Sequence, residues 1–427
     1  MADYLPRIIE SQLDELLKSI PVVAIDGPKA VGKTRTSSRR ARTVWNLDFQ
    51  ATRDFLRATR ATSVPGVEPP ILIDEWQRMP EIWDLMRRYC DDHVGAVGRY
   101  ILTGSASPPD IRTHSGAGRI PRIRMRPLSF SERNLEVPTV SLGKILTGSL
   151  ATIEGSTDFD ASSYAYEIVA SGFPAIRSLE GRAHREQLDG YITNIVEKDF
   201  SEMGHRIRKP GTLERWLRAY AAAVSTTASY ETIRKSASPG SIDEVPAKTT
   251  TNPYRDILER LWIVDESQAW SPSANRLSRV GLAPRHHLTD PALAARLLGI
   301  DAKALIAGPL NSVGLIRDGQ LFGRLFESLA TLSIRTYAQA AEARTLHFRT
   351  HRGDREIDII VERSDGKVLP IEVKLSRTVD DRDVRHLVWL RESIGEQVLD
   401  SIVVTTGPHA FRRSDGIAVV PLALLGP

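Results

Sequence analysis

The chain has 427 residues, too many for one ordinary core, so two or three domains are expected. Its hydrophobic share of 41% and charged share of 26% exclude a disordered or fibrous chain, and a single cysteine, Cys90, excludes a disulfide framework and suits a reducing cytoplasm. No apolar run of about 18 residues is present, so no membrane span is expected, while a formal net charge of +4 keeps nucleic acid among the partners to weigh.

The opening stretch MADYLPRIIESQLDELLKSI is amphipathic and charged, without the apolar centre of a signal peptide, which predicts a cytoplasmic protein. Residues 22–26, VVAID, form a β-rich run that ends in a glycine loop, and Thr34-Arg35-Thr36 starts a helix. TVWNLD (43–48), ILIDE (71–75) and RYILT (99–103) are further buried-strand candidates with helical stretches between them. That alternation predicts an α/β fold, a parallel sheet with helices on both faces. Residues 137–163 are rich in Gly, Ser, Thr and Asp and read as a loop or insertion. A helical pattern over 164–203, interrupted at Gly172-Phe173-Pro174, fits a helical lid beside the sheet.

From Leu213 the composition changes. LERWLRAYAAAV and SYETIRKSA are helical by period, and NPYRDILERLWIVDE is a helix running into a strand. With the basic loop carrying Arg276, Arg279 and Arg285, the order suggests a winged helix-turn-helix module, used either to contact nucleic acid or as a spacer. The final segment begins with an amphipathic helix, QLFGRLFESLATLSIRTYA. TLHFRT, EIDIIVE, the turn SDGK, VLPIEVKLS, a helix over 381–394 and DSIVVTT follow. This is a mixed α/β domain containing a β-hairpin. The expected boundaries are 1–205, 206–300 and 301–427.

Gly27-Pro28-Lys29-Ala30-Val31-Gly32-Lys33-Thr34 fits the phosphate loop G-x-x-x-x-G-K-[ST]. Its glycines let successive backbone N–H groups turn toward phosphate oxygens, Lys33 reaches the β- and γ-phosphates, and the Thr34 hydroxyl ligates Mg²⁺. Arg35 continues the loop into its helix. About 40 residues further on, Asp74 emerges from an apolar strand to hold the Mg²⁺ shell. The adjacent Glu75 is placed to polarise water, which points to ATP hydrolysis. At the end of the next strand, Thr103 or Ser105 is a candidate sensor of the γ-phosphate. Arg119 is a candidate arginine finger, acting in cis or from a neighbouring subunit of a homo-oligomer, with Arg122 and Arg124 competing for the role. Arg112, Arg119, Arg122, Arg124, Arg126 and Arg133 also form a basic stripe, which fits either a track for a phosphate backbone or a solvated strand.

These segments, with YILTGSA, the GR followed by RPLSFSE, SGFPAI, YITNIVEKDF and the final EIDIIVE and IEVK, resemble the AAA+ P-loop ATPases of bacteria and archaea that carry a C-terminal domain of unknown function. The resemblance implies an ATPase core holding ATP and Mg²⁺, a winged-helix middle and a restriction-endonuclease-like end. In that last part Asp358, Glu372 and Lys374 read as D-x13-E-x-K, similar to the PD-(D/E)xK nuclease motif but without a proline directly before Asp358. Metal-dependent phosphodiester cleavage needs clustered oxygen ligands for Mg²⁺ or Mn²⁺ and a nearby cation. Asp358 and Glu372 would be ligands, Glu327 would complete the site and Lys374 would supply the charge. The same residues also fit an inherited fold with a Glu372–Lys374 salt bridge and no cleavage. The leading expectation is an ATPase coupled to binding or cleavage of nucleic acid, DNA before RNA. The alternative is an ATP-gated switch or assembly factor whose C-terminal domain binds without cutting.

Overall fold

A computed structural model describes residues 4–106, 118–149, 152–205, 207, 209–238, 245–272, 282–307, 319–350 and 353–427. Helix α1 (Ile9–Ser19) leads into β1 (Val22–Asp26), followed by α2 (Lys33–Ser38), β2 (Thr43–Asn46), α3 (Gln50–Thr59), β3 (Ile71–Asp74), α4 (Glu81–Asp92), β4 (Tyr100–Gly104) and β5 (Arg122–Arg124). The strands pair in the order β2-β3-β4-β1-β5, all parallel. β1, β3 and β4 are buried throughout, as central strands covered on both faces must be, which is why they read as continuous apolar runs. The C-terminal edge of this sheet sets Asp26 beside Gly104 and Asp74 beside Thr103.

The stretch expected to be a loop is structured. It holds β6 (Val140–Ser141), α5 (Leu142–Thr147) and β7 (Gly155–Ser156). Ser141 caps α5 by accepting from the Lys144 amide. Then come α6 (Ala161–Val169), α7 (Pro174–Arg177), α8 (Gly181–Asn194) and, after a π turn over 195–199, α9 (Phe200–Glu202). Helices α10 (Pro210–Ala222), α11 (Tyr230–Ser236) and α12 (Lys248–Arg260) follow. Beyond them stand two antiparallel bridges, Val264 with Leu288 and Ser267 with Arg285. Next are α13 (Pro291–Leu297) and α14 (Ala302–Ile306), both packed on α6. Arg276 and Arg279 lie outside the described residues.

The central helix α15 (Gly319–Ala340) precedes β8 (Arg344–Arg349), β9 (Glu356–Glu362), β10 (Val368–Lys374), α16 (Asp381–Ile394), β11 (Ile402–Thr405), β12 (His409–Arg412), β13 (Ala418–Pro421) and β14 (Leu425–Gly426). Seven strands pair in the order β7-β12-β13-β11-β10-β9-β8, so β7 joins the C-terminal sheet, and β6 pairs in parallel with β14. One apolar cluster runs from Ile25 and Leu72 through Tyr164, Trp216, Phe326 and Leu329 to Val373 and Leu422, so the parts share a core. No helix among the described residues is long and apolar enough to cross a membrane.

Candidate nucleotide site and a locked carboxylate cluster

The loop Gly27–Gly32 turns at the end of β1 because Gly27 has φ +156° and Gly32 φ +100°. A Cβ on Gly27 would overlap the Met125 carbonyl oxygen. Lys33 heads α2 with its ammonium inside the loop, donating to the carbonyls of Gly27 at 2.8 Å and Pro28 at 2.7 Å. Burial pushes its pKa down to about 8, against the pull of Glu75, Asp26 and Asp74. From the next residue, the Thr34 hydroxyl donates to Asp74 at 2.9 Å. Thr103 donates to the same carboxylate at 2.5 Å from the neighbouring strand. Thr103 is fully buried on Asp74, so it positions that carboxylate and does not face a phosphate. Thr34 and Asp74 are hard oxygen donors fit for Mg²⁺.

Glu75 sits in the left-handed region at φ +56°, which costs about 1–2 kcal/mol for a residue with a Cβ. That turn starts the short helical segment Trp76–Arg78 and sets Gln77 beside Glu75. The Glu75 carboxylate accepts from Ser105 at 3.0 Å and from the Gln77 amide, which also donates to Ser105 at 3.1 Å. Of the two hydroxyl candidates, Thr103 therefore serves Asp74 and Ser105 serves Glu75. The role of Gln77 was missed because a lone glutamine carries no motif.

The Lys29 side chain leaves the loop. It pairs with Asp199 at 2.6 Å and Glu202 at 3.2 Å on the lid, and Glu202 also binds Arg78 at 3.3 Å. Only the backbone of Lys29, like those of Pro28, Ala30 and Val31, remains for a phosphate. The Val31 carbonyl accepts from Arg7 at 2.7 Å. Beside the loop opens a cleft of about 560 Å³ lined by Tyr4, Leu5, Val31, Arg35, Pro174 and Ala175. Its mostly apolar walls suit a purine ring. Tyr4 is held by hydrogen bonds with Glu10 at 2.6 Å and Thr36 at 2.9 Å, and Arg39 lies over its ring at 4.4 Å. Tyr4 and Leu5 precede any periodic pattern and gave no signal in the sequence.

Each described arginine of the basic stripe has a carboxylate partner within the chain. Arg119 pairs with Asp91 at 2.5 Å. Because β5 runs parallel to β1 with Arg124 beside Asp26, Arg119 lies toward the opposite end of the sheet from the loop. It therefore cannot act on its own chain's nucleotide. Arg122 pairs with Asp26, and Arg133 is buried against Glu167 at 2.8 Å. Arg124 and Arg126, both at 3.1 Å, and Arg335, at 3.0 Å, converge on Asp265. Burial would raise the Asp265 pKa, but the three guanidiniums overcome this and hold it well below the usual carboxylate range. Burial pushes Arg124 down to about 9. Arg112 lies outside the described residues.

In the C-terminal sheet, β9 and β10 pair antiparallel with Ile371 opposite Ile359, which brings Glu372 opposite Asp358. Asp358 accepts from the Val373 amide at 2.8 Å, and Lys374 donates to Glu372 at 2.9 Å. Glu327 reaches the same place from α15. The expected constellation is thus assembled, but with a fourth partner. Arg285, far from being part of an exposed basic loop, is buried with its guanidinium 2.8 Å from Glu327, 3.0 Å from Glu356 and 3.1 Å from Asp358. Burial, together with the neighbouring carboxylates, drives Glu327 and Glu372 well above the usual range. No cluster of three or more His, Cys, Asp or Glu among the described residues is open to a metal ion. The set Glu327, Asp358 and Glu372 does not fit a metal while Arg285 stands among its oxygens.

Residues 19–134 match the AAA domain family, and residues 161–304 and 322–425 match two families described as domains of unknown function, DUF8612 and DUF4143. Uncharacterized proteins of Mycobacterium tuberculosis and Mycobacterium bovis are each 27% identical over 430 residues, covering 97% of this chain and 83% of theirs. Among solved structures, a Walker-type ATPase of Pyrococcus abyssi aligns over 69% of this chain and 96% of its own, at 15% identity and a TM-score of 0.41. The Drosophila ORC bound to DNA aligns over 68% and 85%, at 13% identity and a TM-score of 0.19. Neither structural likeness bears on what this chain binds.

Proposed function

We propose that this chain is a Mg²⁺-dependent ATPase acting as a nucleotide-driven switch, with its lid and C-terminal domain responding to the phosphate site. The observation that carries the reading is the row Lys33, Thr34, Asp74, Glu75 and Ser105 at the C-terminal edge of one parallel sheet, with Gln77 behind Glu75. The loop amides and Lys33 would bind the triphosphate, and Thr34 and Asp74 would hold Mg²⁺, which would supply positive charge to the phosphate. Glu75, aimed by Ser105 and Gln77, orients the attacking water. Lys29 ties the loop to Asp199 and Glu202, a direct route by which the phosphate site moves the lid. An arginine finger at Arg119 would have to come from a neighbouring copy in a homo-oligomer.

The test is steady-state ATP turnover with parallel binding of a fluorescent ATP analogue. Glu75→Gln is expected to bind ATP normally and lose about 10²-fold or more in kcat, while Lys33→Ala loses binding. Wild-type turnover by Glu75→Gln would sink the assignment.

A second reading, coupling to nucleic acid with DNA before RNA, is supported by helices α10, α11 and α12 followed by a small antiparallel pair, the order of a winged helix-turn-helix. ATPase rates with single-stranded DNA, duplex DNA and RNA test it, and an unchanged rate with all three counts against it. Metal-dependent cleavage is the least supported part, because Arg285 stands where its metal would.

A further inference from the structure

The Glu327, Glu356, Asp358 and Glu372 cluster has no part in the nucleotide chemistry, yet it gathers four carboxylates, all but Glu356 buried, with the buried Arg285 and the half-buried Lys374. The oxygens come from α15, β9 and β10, an arrangement of hard donors that suits a divalent cation. Within this cluster the Glu372 Oε1 atom is buried without any hydrogen-bond partner, on a side chain 4% exposed. Buried polar atoms are rarely left in that state without a ligand to explain them.

The cation that fills the cluster is held from behind. Arg285 exchanges both backbone hydrogen bonds with Ser267 at 2.9 Å, and its Nε also donates to the Ser225 carbonyl at 3.2 Å. The next residue, His286, is pinned in the same way, donating its amide to Thr226 at 2.9 Å and accepting from Ser225 at 2.8 Å. The guanidinium therefore enters the cluster on a fixed strand of the middle region, where its Nε, Nη2 and Nη1 atoms ion-pair with Glu327, Glu356 and Asp358 in turn.

We propose that Arg285 is a built-in substitute for a divalent metal ion. Its guanidinium closes a latent Mg²⁺ or Mn²⁺ site formed by Glu327, Asp358 and Glu372, and that site accepts metal once the arginine charge is gone. The arginine thereby docks the middle region on the C-terminal sheet by the same oxygens that would otherwise hold the ion. This stands apart from the ATPase reading and is tested without nucleotide.

The experiment is Mn²⁺ titration of the full chain, followed by loss of the free-ion paramagnetic resonance signal. It compares wild type, Asp358→Asn, Arg285→Met and the double variant; methionine fills the arginine slot without its charge. Wild type and Asp358→Asn are expected to take up equal amounts of Mn²⁺. Arg285→Met is expected to gain a site at least 10-fold tighter than any in wild type, and the double variant to lose it. Asp358-dependent uptake by wild type, or a folded Arg285→Met with no added uptake, overturns the proposal. Should Arg285→Met melt early, Mn²⁺ must raise its Tm while leaving the double variant unchanged, and the absence of that rise equally overturns it.

Discussion

Asp265→Asn isolates the ion cluster that joins β5, the middle region and α15. The substitution preserves shape but removes the one carboxylate that, among the described residues, pairs with Arg124, Arg126 and Arg335, each within 3.1 Å. At an effective dielectric near 20, a pair at such distances is worth about 5 kcal/mol of Coulomb energy, much of it offset by desolvation. Leaving buried charge uncompensated costs about 3–5 kcal/mol in measured cases. Here three guanidiniums are left to repel one another, so Asp265→Asn is expected at the upper end. Arg126→Ala removes one charge from an over-cationic site and should cost only about 2 kcal/mol. The exposed Arg182–Glu186 pair, 85% and 62% exposed, is the control at about 0.5 kcal/mol. Urea unfolding followed by tryptophan fluorescence reads all three, with Trp262 beneath Arg124 at 4.6 Å as a local reporter. The same Arg126→Ala protein should show no change in the salt dependence of any nucleic-acid binding, whereas loss of a phosphate contact flattens the log–log slope by about 1. An Asp265→Asn loss under about 1 kcal/mol, or a flattened slope in Arg126→Ala, refutes the reasoning.

Gln77→Ala frees the Glu75 carboxylate without touching the phosphate loop, so kcat should fall about 10-fold with KM for ATP unchanged; a matched rise in KM would mean Gln77 binds nucleotide. Tyr4→Ala should weaken ATP by about 1–3 kcal/mol if the base stacks in the cleft, with inorganic triphosphate affinity unaffected; equal loss for both ligands would place the base elsewhere. His347 is buried, and burial, with Arg285 adding to it, pushes its pKa down to about 4. The unfolded chain takes up a proton near pH 6.5 that the native one refuses, so stability falls as pH drops from about 6.5 toward 4, by up to about 3 kcal/mol. His347→Gln should flatten that acid limb in urea titrations at pH 7, 6 and 5, and an unchanged limb would assign it to other groups.

The phosphate loop and the Asp74-Glu75 strand were legible because their function fixes residue type at fixed spacing beside an apolar strand. The hairpin, α16 and β11 were legible for a different reason: buried strands write themselves as EIDIIVE and VLPIEVK, and helix α16 starts at Asp380 with a capping box. Residues 137–163 were misread because their order comes from distant partners. Gly155 and Ser156 are strand only beside Ala410 and His409, and Val140 only beside Leu425. Arg285 looked like one of three basic loop residues, since nothing local announces three carboxylates 42 and more positions away. The arginine stripe was equally silent about Asp265, which lies 139 positions beyond Arg126. Charge composition is visible in a sequence; charge pairing is a property of the fold.

The pairing of Val140 and Ser141 with Leu425 and Gly426, sealed by the Ser141 hydroxyl on the Pro427 carbonyl at 2.6 Å across 286 positions, dictates an order of events during synthesis. A ribosome moving at about 5–20 residues per second exposes β6 and β7 well before β12 and β14 exist. For that interval two strand edges beside a finished nucleotide-binding sheet have no partners, a condition that invites pairing with other chains. A fragment cut after the lid, near residue 205, would keep them in that condition permanently. It is expected to aggregate unless residues 409–426 are supplied separately, which makes complementation by two co-expressed pieces a practical route to the isolated nucleotide-binding half.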